Sequence, residues 1–178
     1  MARLNGVVLE RPPIRGGFAI LERTWQDGDT IELRLPMPLR GLERPAGALG
    51  IARGPLILAL QVGEEWTRLP DSTGLGDWEV RPTSAWNYAL VANPDREPER
   101  YEVERTAVGE MPFGGTDPAI TVRTHGYRVP GWTLVRNSAG PLPRDPVGSG
   151  GPPEPITLIP YGCARLRIAE FPFQPATE

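Results

Sequence analysis

Residues 48–62 read ALGIARGPLILALQV, and the fold class turns on this stretch. It splits into two apolar β-runs, Ala48 to Arg53 and Leu56 to Val62, separated at Gly54-Pro55, because a proline cannot donate to a strand ladder. Nearly unbroken apolarity in runs this short predicts strands buried on both faces.

The flanking sequence carries the same style. In FAILERTWQDGDTIELRLPM, Phe18 to Arg23 and Thr30 to Leu35 read as two strands of a hairpin around the turn Gln26-Asp27-Gly28-Asp29. Ile31, Leu33 and Leu35 alternate with Thr30, Glu32 and Arg34, the period of a strand with one wet face. Downstream, DWEV, WNYALV, YEVERTAV, AITVRTHGYRV and WTLV read as further short strands, and ITLIPYG and ARLRIAEFPF as closing ones. Between them GPLPRDPVGSGGPPEP, residues 140–155, reads as a Pro/Gly-rich loop with a disordered centre. With 22 prolines and 21 glycines scattered between apolar runs, long helices are excluded. About ten short strands with no helix between them predict an all-β, antiparallel, jelly-roll-like β-sandwich. Residues 1–62 form its hairpin-rich part, 63–139 its continuation with an aromatic segment, 140–155 the loop and 156–178 the closing strands.

A net charge of −3 with dispersed arginines offers no basic stripe for nucleic acid. No apolar run is long enough to span a bilayer and no secretory leader is visible, which predicts a cytoplasmic chain. One cysteine, Cys163, excludes an internal disulfide. With His125 the only histidine, no metal-ligand cluster can be assembled from His and Cys, and no cofactor is expected. The same scarcity argues against a serine triad at Ser72, Ser84, Ser138 or Ser149, since His125 has no visible orienting acid. Cys163 reads as a small buried hydrophobe rather than a nucleophile. GSGG lacks a following helix to hold phosphate. Paired carboxylates remain for glycoside hydrolysis; Asp77 with Glu79, and Asp27 with Asp29, read as solvation of a strand face and a turn, with Asp117 a further acid to weigh. No catalytic residue is assigned.

The segment GDWEVRPTSAWNYAL, residues 76–90, gathers Trp78, Trp86 and Tyr88 beside Asp77 and Asn87. Such rings serve as core and interface packing. Alternatively they are stacking platforms of a carbohydrate site, with Asp77 and Asn87 bonding to hydroxyls; that reading predicts an exposed, coplanar pair of rings. Pro82 leaves open how the two halves of the segment relate.

The series RTWQDGDTIELRLPM, ARGPLILAL, DWEVRPTSAWNYAL, RVPGW and ITLIPYGCARLRIAEFP resembles, in order and spacing, the C-terminal β-sandwich region of bacterial proteins related to glycoside hydrolase family 127, the β-L-arabinofuranosidases. The resemblance implies that chemistry resides in a helical (α/α)6 barrel N-terminal to the sandwich, with a glutamate and a zinc-binding cysteine cluster. Cys163 does not match that motif, and no catalytic or metal residue carries over. The implied role is a non-catalytic accessory module, partnered by such a barrel in the same or a neighbouring gene, with a carbohydrate-binding module and an independent glycosidase as alternatives. MARLNGVVLE resembles the closing strands of a sandwich whose opening strands would precede Met1. Uncovered strand edges then predict a homo-oligomer that buries part of residues 76–90.

Overall fold

The computed structural model describes residues 1–10, 14–15, 17–70, 74, 76–114, 117–144 and 150–174. Their named strands pair only in antiparallel fashion, and their helical content is three single 3-10 turns. The chain is thus all-β, of the antiparallel sandwich class that its proline punctuation requires. It divides into two compact units, residues 1–37 and 38–178, a boundary that falls inside the expected segment 1–62.

In the first unit, β1 (Ala2–Leu4) lies between β2 (Val7–Val8) and β5 (Ile31–Leu33), while β3 (Ile14–Arg15) pairs with β4 (Phe18–Ala19). The β1–β2 turn is Asn5-Gly6, both at positive φ, the pair favoured in two-residue hairpins. The expected hairpin between 18–23 and 30–35 does not form. Its turn does: Gly28 sits at φ +88°, and the Asp29 carboxylate accepts the Gln26 N–H at 2.9 Å. The strand leaving that turn is captured by β1 instead. Asn5 donates its side-chain amide to Asp29 at 2.7 Å and accepts the Thr30 N–H at 2.9 Å, which sets Leu4 opposite Ile31.

The second unit is built on a seven-stranded sheet. Its order is β11 (Tyr88–Leu90), β13 (Ile120–Arg128), β16 (Glu154–Pro160), β8 (Leu56–Leu60), β7 (Leu49–Arg53), β6 (Leu39–Glu43), with β12 (Glu102–Arg105) also on β13. Because β16 takes one edge of β13, β11 and β12 share the other, end to end. The expectation of burial on both faces holds for β7, every residue of which is buried; β8 ends at Leu60 rather than Val62 and opens with Leu56 half-buried and Ile57 41% exposed, and the two strands meet at the Gly54-Pro55 turn. Leu58 and Leu60 of β8 enter the main core with Leu158, Leu90, Val122 and Phe171. Ala59, pointing the other way, joins Ile159 and Cys163 in a second cluster. Arg53 is also buried, and desolvation, followed by the like charge of Arg105, pushes its pKa down.

Residues 164–173, expected as a strand, pair only through isolated bridges. Phe171 exchanges both backbone bonds with Leu49, Ile168 accepts the Leu60 N–H, and Leu90 bonds to Pro172 and Gln174. Pro172 has no N–H to extend a ladder, so the segment links β7 and β8 to the free edge of β11 and closes the curl of the sheet around Phe171, which is fully buried. The other edge is also covered. The Gly41 N–H of β6 donates to the Asp95 carboxylate at 3.0 Å, and a Cβ on Gly41 would meet Asn93 Oδ1 at 2.5 Å. A side-chain cap of this kind blocks edge pairing with other chains.

The proline-rich loop of 140–155 is shorter than expected. β14 (Leu134–Val135) and β15 (Ser138–Ala139) form a hairpin through Arg136 and Asn137, both at positive φ. β16 begins at Glu154, and the loop centre at 145–149 lies outside the described residues. His125 stands inside β13, exposed opposite Pro155.

Candidate functional site

The aromatic segment is divided between two sheets. Asp77 is exposed and Trp78 opens β10 (Trp78–Pro82), which pairs with β9 (Glu64–Arg68) as a two-stranded ribbon. Register places Trp66, Trp78, Val80 and Pro82 on one ribbon face, with Glu64 and Arg68, and Glu65, Thr67, Glu79 and Arg81 on the other. Trp66 and Trp78 are 46% and 50% exposed and meet edge to face, centroids 6.3 Å apart at 67°. Pro82 ends the ribbon, and the chain crosses to β11.

There Trp86 is half-buried and packs edge to face on buried Trp132, at 5.2 Å and 68°. Asn87 spends both side-chain donors on the Val129 and Trp132 carbonyls, at 2.9 and 3.0 Å. Tyr88 is buried; its hydroxyl donates to Glu154 at 2.8 Å, and the Arg128 guanidinium lies over its ring. Burial first, then the bond to Glu154, raises the Tyr88 pKa above its ordinary value. Tyr101, whose hydroxyl donates to the Ala92 carbonyl at 2.6 Å, is raised further by burial. Of the five residues proposed for sugar contact, Asp77 and Trp78 are exposed, Trp86 and Asn87 half-buried and Tyr88 buried, and each of the two tryptophans packs edge to face on another tryptophan.

Two cavities of the second unit place a carboxylate beside an aromatic ring. The first, about 520 Å³, is lined by Trp132, Tyr161, Arg167, Arg44 and Glu170 over apolar Leu42, Ile57 and Ile168. Arg44 clamps Glu170 through Nε at 2.7 Å and Nη2 at 2.6 Å, and the Arg167 guanidinium stacks 4.9 Å over Tyr161. The second, about 480 Å³, has Trp66, Glu64, Arg165 and Cys163 on its walls. Glu64 accepts the Trp66 indole N–H at 3.1 Å and the Arg165 N–H at 3.2 Å. Among the described residues each of these two cavities thus holds a single carboxylate, already engaged, whereas glycoside hydrolysis by paired acids uses two.

The other sequence candidates disperse. Glu79 pairs with Arg81 at 3.0 Å, Asp29 caps its turn and pairs with Arg23 at 3.2 Å, and Asp27 and Asp117 are exposed. Cys163 is buried, its thiol directed to the Pro112 carbonyl. Among the described residues no three His, Cys, Asp or Glu side chains are grouped to hold a metal, and no helix is long and apolar enough to cross a membrane. Sequence reading missed Trp66 and Trp132, the partners of the two predicted tryptophans. EEWTR, residues 64–68, offered a signal for the first in its alternation; nothing local links Trp132 to Trp86.

No protein-family model matches the chain, and no curated protein matches it. Among solved structures it is similar to the crystal structure of a GH127 β-L-arabinofuranosidase from Geobacillus stearothermophilus T6, with a TM-score of 0.55 and 22% identity. The likeness covers 97% of this chain and 24% of that one, so this chain spans about a quarter of the enzyme's length. It establishes a shared fold.

Proposed function

We propose that the chain is a non-catalytic β-module of a glycoside hydrolase-like protein of the GH127 type, acting as a structural partner to a separate catalytic domain. The observation that carries this reading is the coverage asymmetry: nearly all of this chain matches about a quarter of an enzyme chain. The cavities support it, because each carries one carboxylate already bound to protein groups. Of the other candidates, Cys163 packs in a core cluster, Asp29 caps its turn and Glu79 pairs with Arg81. The natural partner on this reading is a helical (α/α)6 barrel, and the ribbon face with Trp66 and Trp78 is a surface of the kind enriched at protein interfaces.

The test is an assay of the purified chain on an aryl β-L-arabinofuranoside, beside Glu64→Gln and Glu170→Gln variants. No turnover above buffer is expected from any of the three. Turnover by the natural chain that either variant abolishes would overturn the reading.

A further inference from the structure

Arg167 lines two adjoining cavities of the second unit. With Ala139 and Ile168 it belongs both to the cavity of about 520 Å³ described above and to a neighbour of about 250 Å³. The larger also has Arg44 and Glu170 on its walls; the smaller adds Arg165 and, among its described residues, no carboxylate. Three arginines against one glutamate leave a surplus of positive charge there, in a chain whose net charge is −3. Glu64 does not cancel it, since it accepts the backbone N–H of Arg165, whose guanidinium donates to the Gly162 carbonyl instead.

The polar groups of this surface are held in place with bonding capacity to spare. Arg167 donates through Nε to the Ala164 carbonyl at 3.0 Å and stacks on Tyr161; among the described residues its two Nη groups have no protein acceptor. A guanidinium fixed this way offers the donor pair that matches a carboxylate. Arg44 places both its bonds on Oε1 of Glu170, which leaves Oε2 to accept from a hydroxyl. Leu42, Ile57 and Ile168 supply an apolar wall between them, and the smaller cavity adds Asn137 and Ser138.

We propose that these adjoining cavities bind an acidic oligosaccharide, a short chain of hexuronate rings. The carboxylate of one ring takes the Nη edge of Arg167, a ring hydroxyl donates to Glu170 Oε2, the C–H face of that ring lies on Ile57 and Leu42, and the carboxylate of the next ring is drawn to Arg165. The larger cavity alone is within the size range of small-molecule sites. A single-stranded nucleic acid suits the surface less well, because its bases need open aromatic faces, whereas Trp132 is buried and the Tyr161 ring carries Arg167. The site is independent of the structural role proposed above, and its readout is binding, not turnover.

Amide NMR titration of the full chain with tri-galacturonate tests the proposal. Saturable shifts are expected at residues 138–140 and 165–170, with affinity falling as salt is raised. The methyl-esterified trimer, which keeps the hydroxyls and loses the charges, should bind at least about tenfold more weakly. Arg167→Gln should weaken binding by about tenfold or more, Arg167→Lys should recover only part of the loss because it keeps the charge without the fork, and Arg81→Gln, on the outer face of the β9–β10 ribbon, should change nothing. Should Arg167→Gln disturb the fold, the comparison of acid and ester on the natural chain still decides. No saturable shift at millimolar trimer, equal binding of acid and ester, full binding by a folded Arg167→Gln chain, the same shifts from acetate or phosphate alone, or tighter binding of a uridine trinucleotide would overturn it.

Discussion

Residues 49–53 and residues 30–35 both carry alternating or continuous apolar patterns suited to strands, yet the first set is buried and the second largely exposed. Leu58 and Ile51 are fully buried, while Leu33 and Leu35 are 63% and 71% exposed. The pattern in the chain sets which residues share a face. Whether that face is dry depends on a second layer, and only the second unit provides its own. There the 164–174 segment reaches over to β7, β8 and β11, and both faces of the central strands are packed.

If closure by that segment makes the difference, Phe171→Ala should be the most damaging single change. Removing a fully buried phenylalanine costs about 3–5 kcal/mol, read as a lower urea midpoint for the second unit, with the NMR shifts of β1 and β5 unchanged. Asn87→Ala leaves the Val129 and Trp132 carbonyls without their shared donor and should cost about 1–3 kcal/mol. A neutral result in denaturation, with altered sugar binding instead, would favour the ligand role considered for Asn87. Gly41→Ala presses a methyl onto Asn93 and should cost about 1–3 kcal/mol, with Asn93→Gly restoring part of the loss; no rescue would mean that edge capping by the 93–97 loop is not the cause.

The smallest effect expected belongs to the first unit. Bonds from the Gln26 N–H and the Asn5 amide lower the Asp29 pKa, with Arg23 adding and desolvation opposing. Because the folded value lies below the ordinary 3.8, the stabilisation is complete above that value and is lost as pH falls through the lower folded one. Carboxyl NMR should show Asp29 titrating below 3.8, with the turn at 26–29 loosening at that point and β13 and β16 undisturbed. Titration at the ordinary value would break the assignment of Asp29 as the cap.

These outcomes also mark how far the sequence could be read. Strands 49–53 and 56–60, the 54–55 turn and the turn at 26–29 were legible because each depends on neighbours in sequence. The pairing of β5 with β1 was not, since Asn5 and Thr30 meet across 25 residues and a nearer partner at 18–23 was available. Residues 164–173 read as a strand, but Pro172 and their position across three strands leave them only isolated bridges. At the candidate site, Trp78, Trp86 and Tyr88 were recognised as a group by proximity in sequence. Pro82 sends them to different sheets, and the partners that fix them, Trp66, Trp132, Glu154 and Arg128, lie in distant strands or loops.

The contrast between a closed and an open β-unit is tested most directly by residue-resolved amide hydrogen exchange at low micromolar concentration. The amides of β7, β8, β13 and β16 should exchange only by global unfolding, and those of β1 and β5 faster by a factor of about 100 or more, as for local opening. Equal protection of both sets in a chain shown to be monomeric would contradict the account.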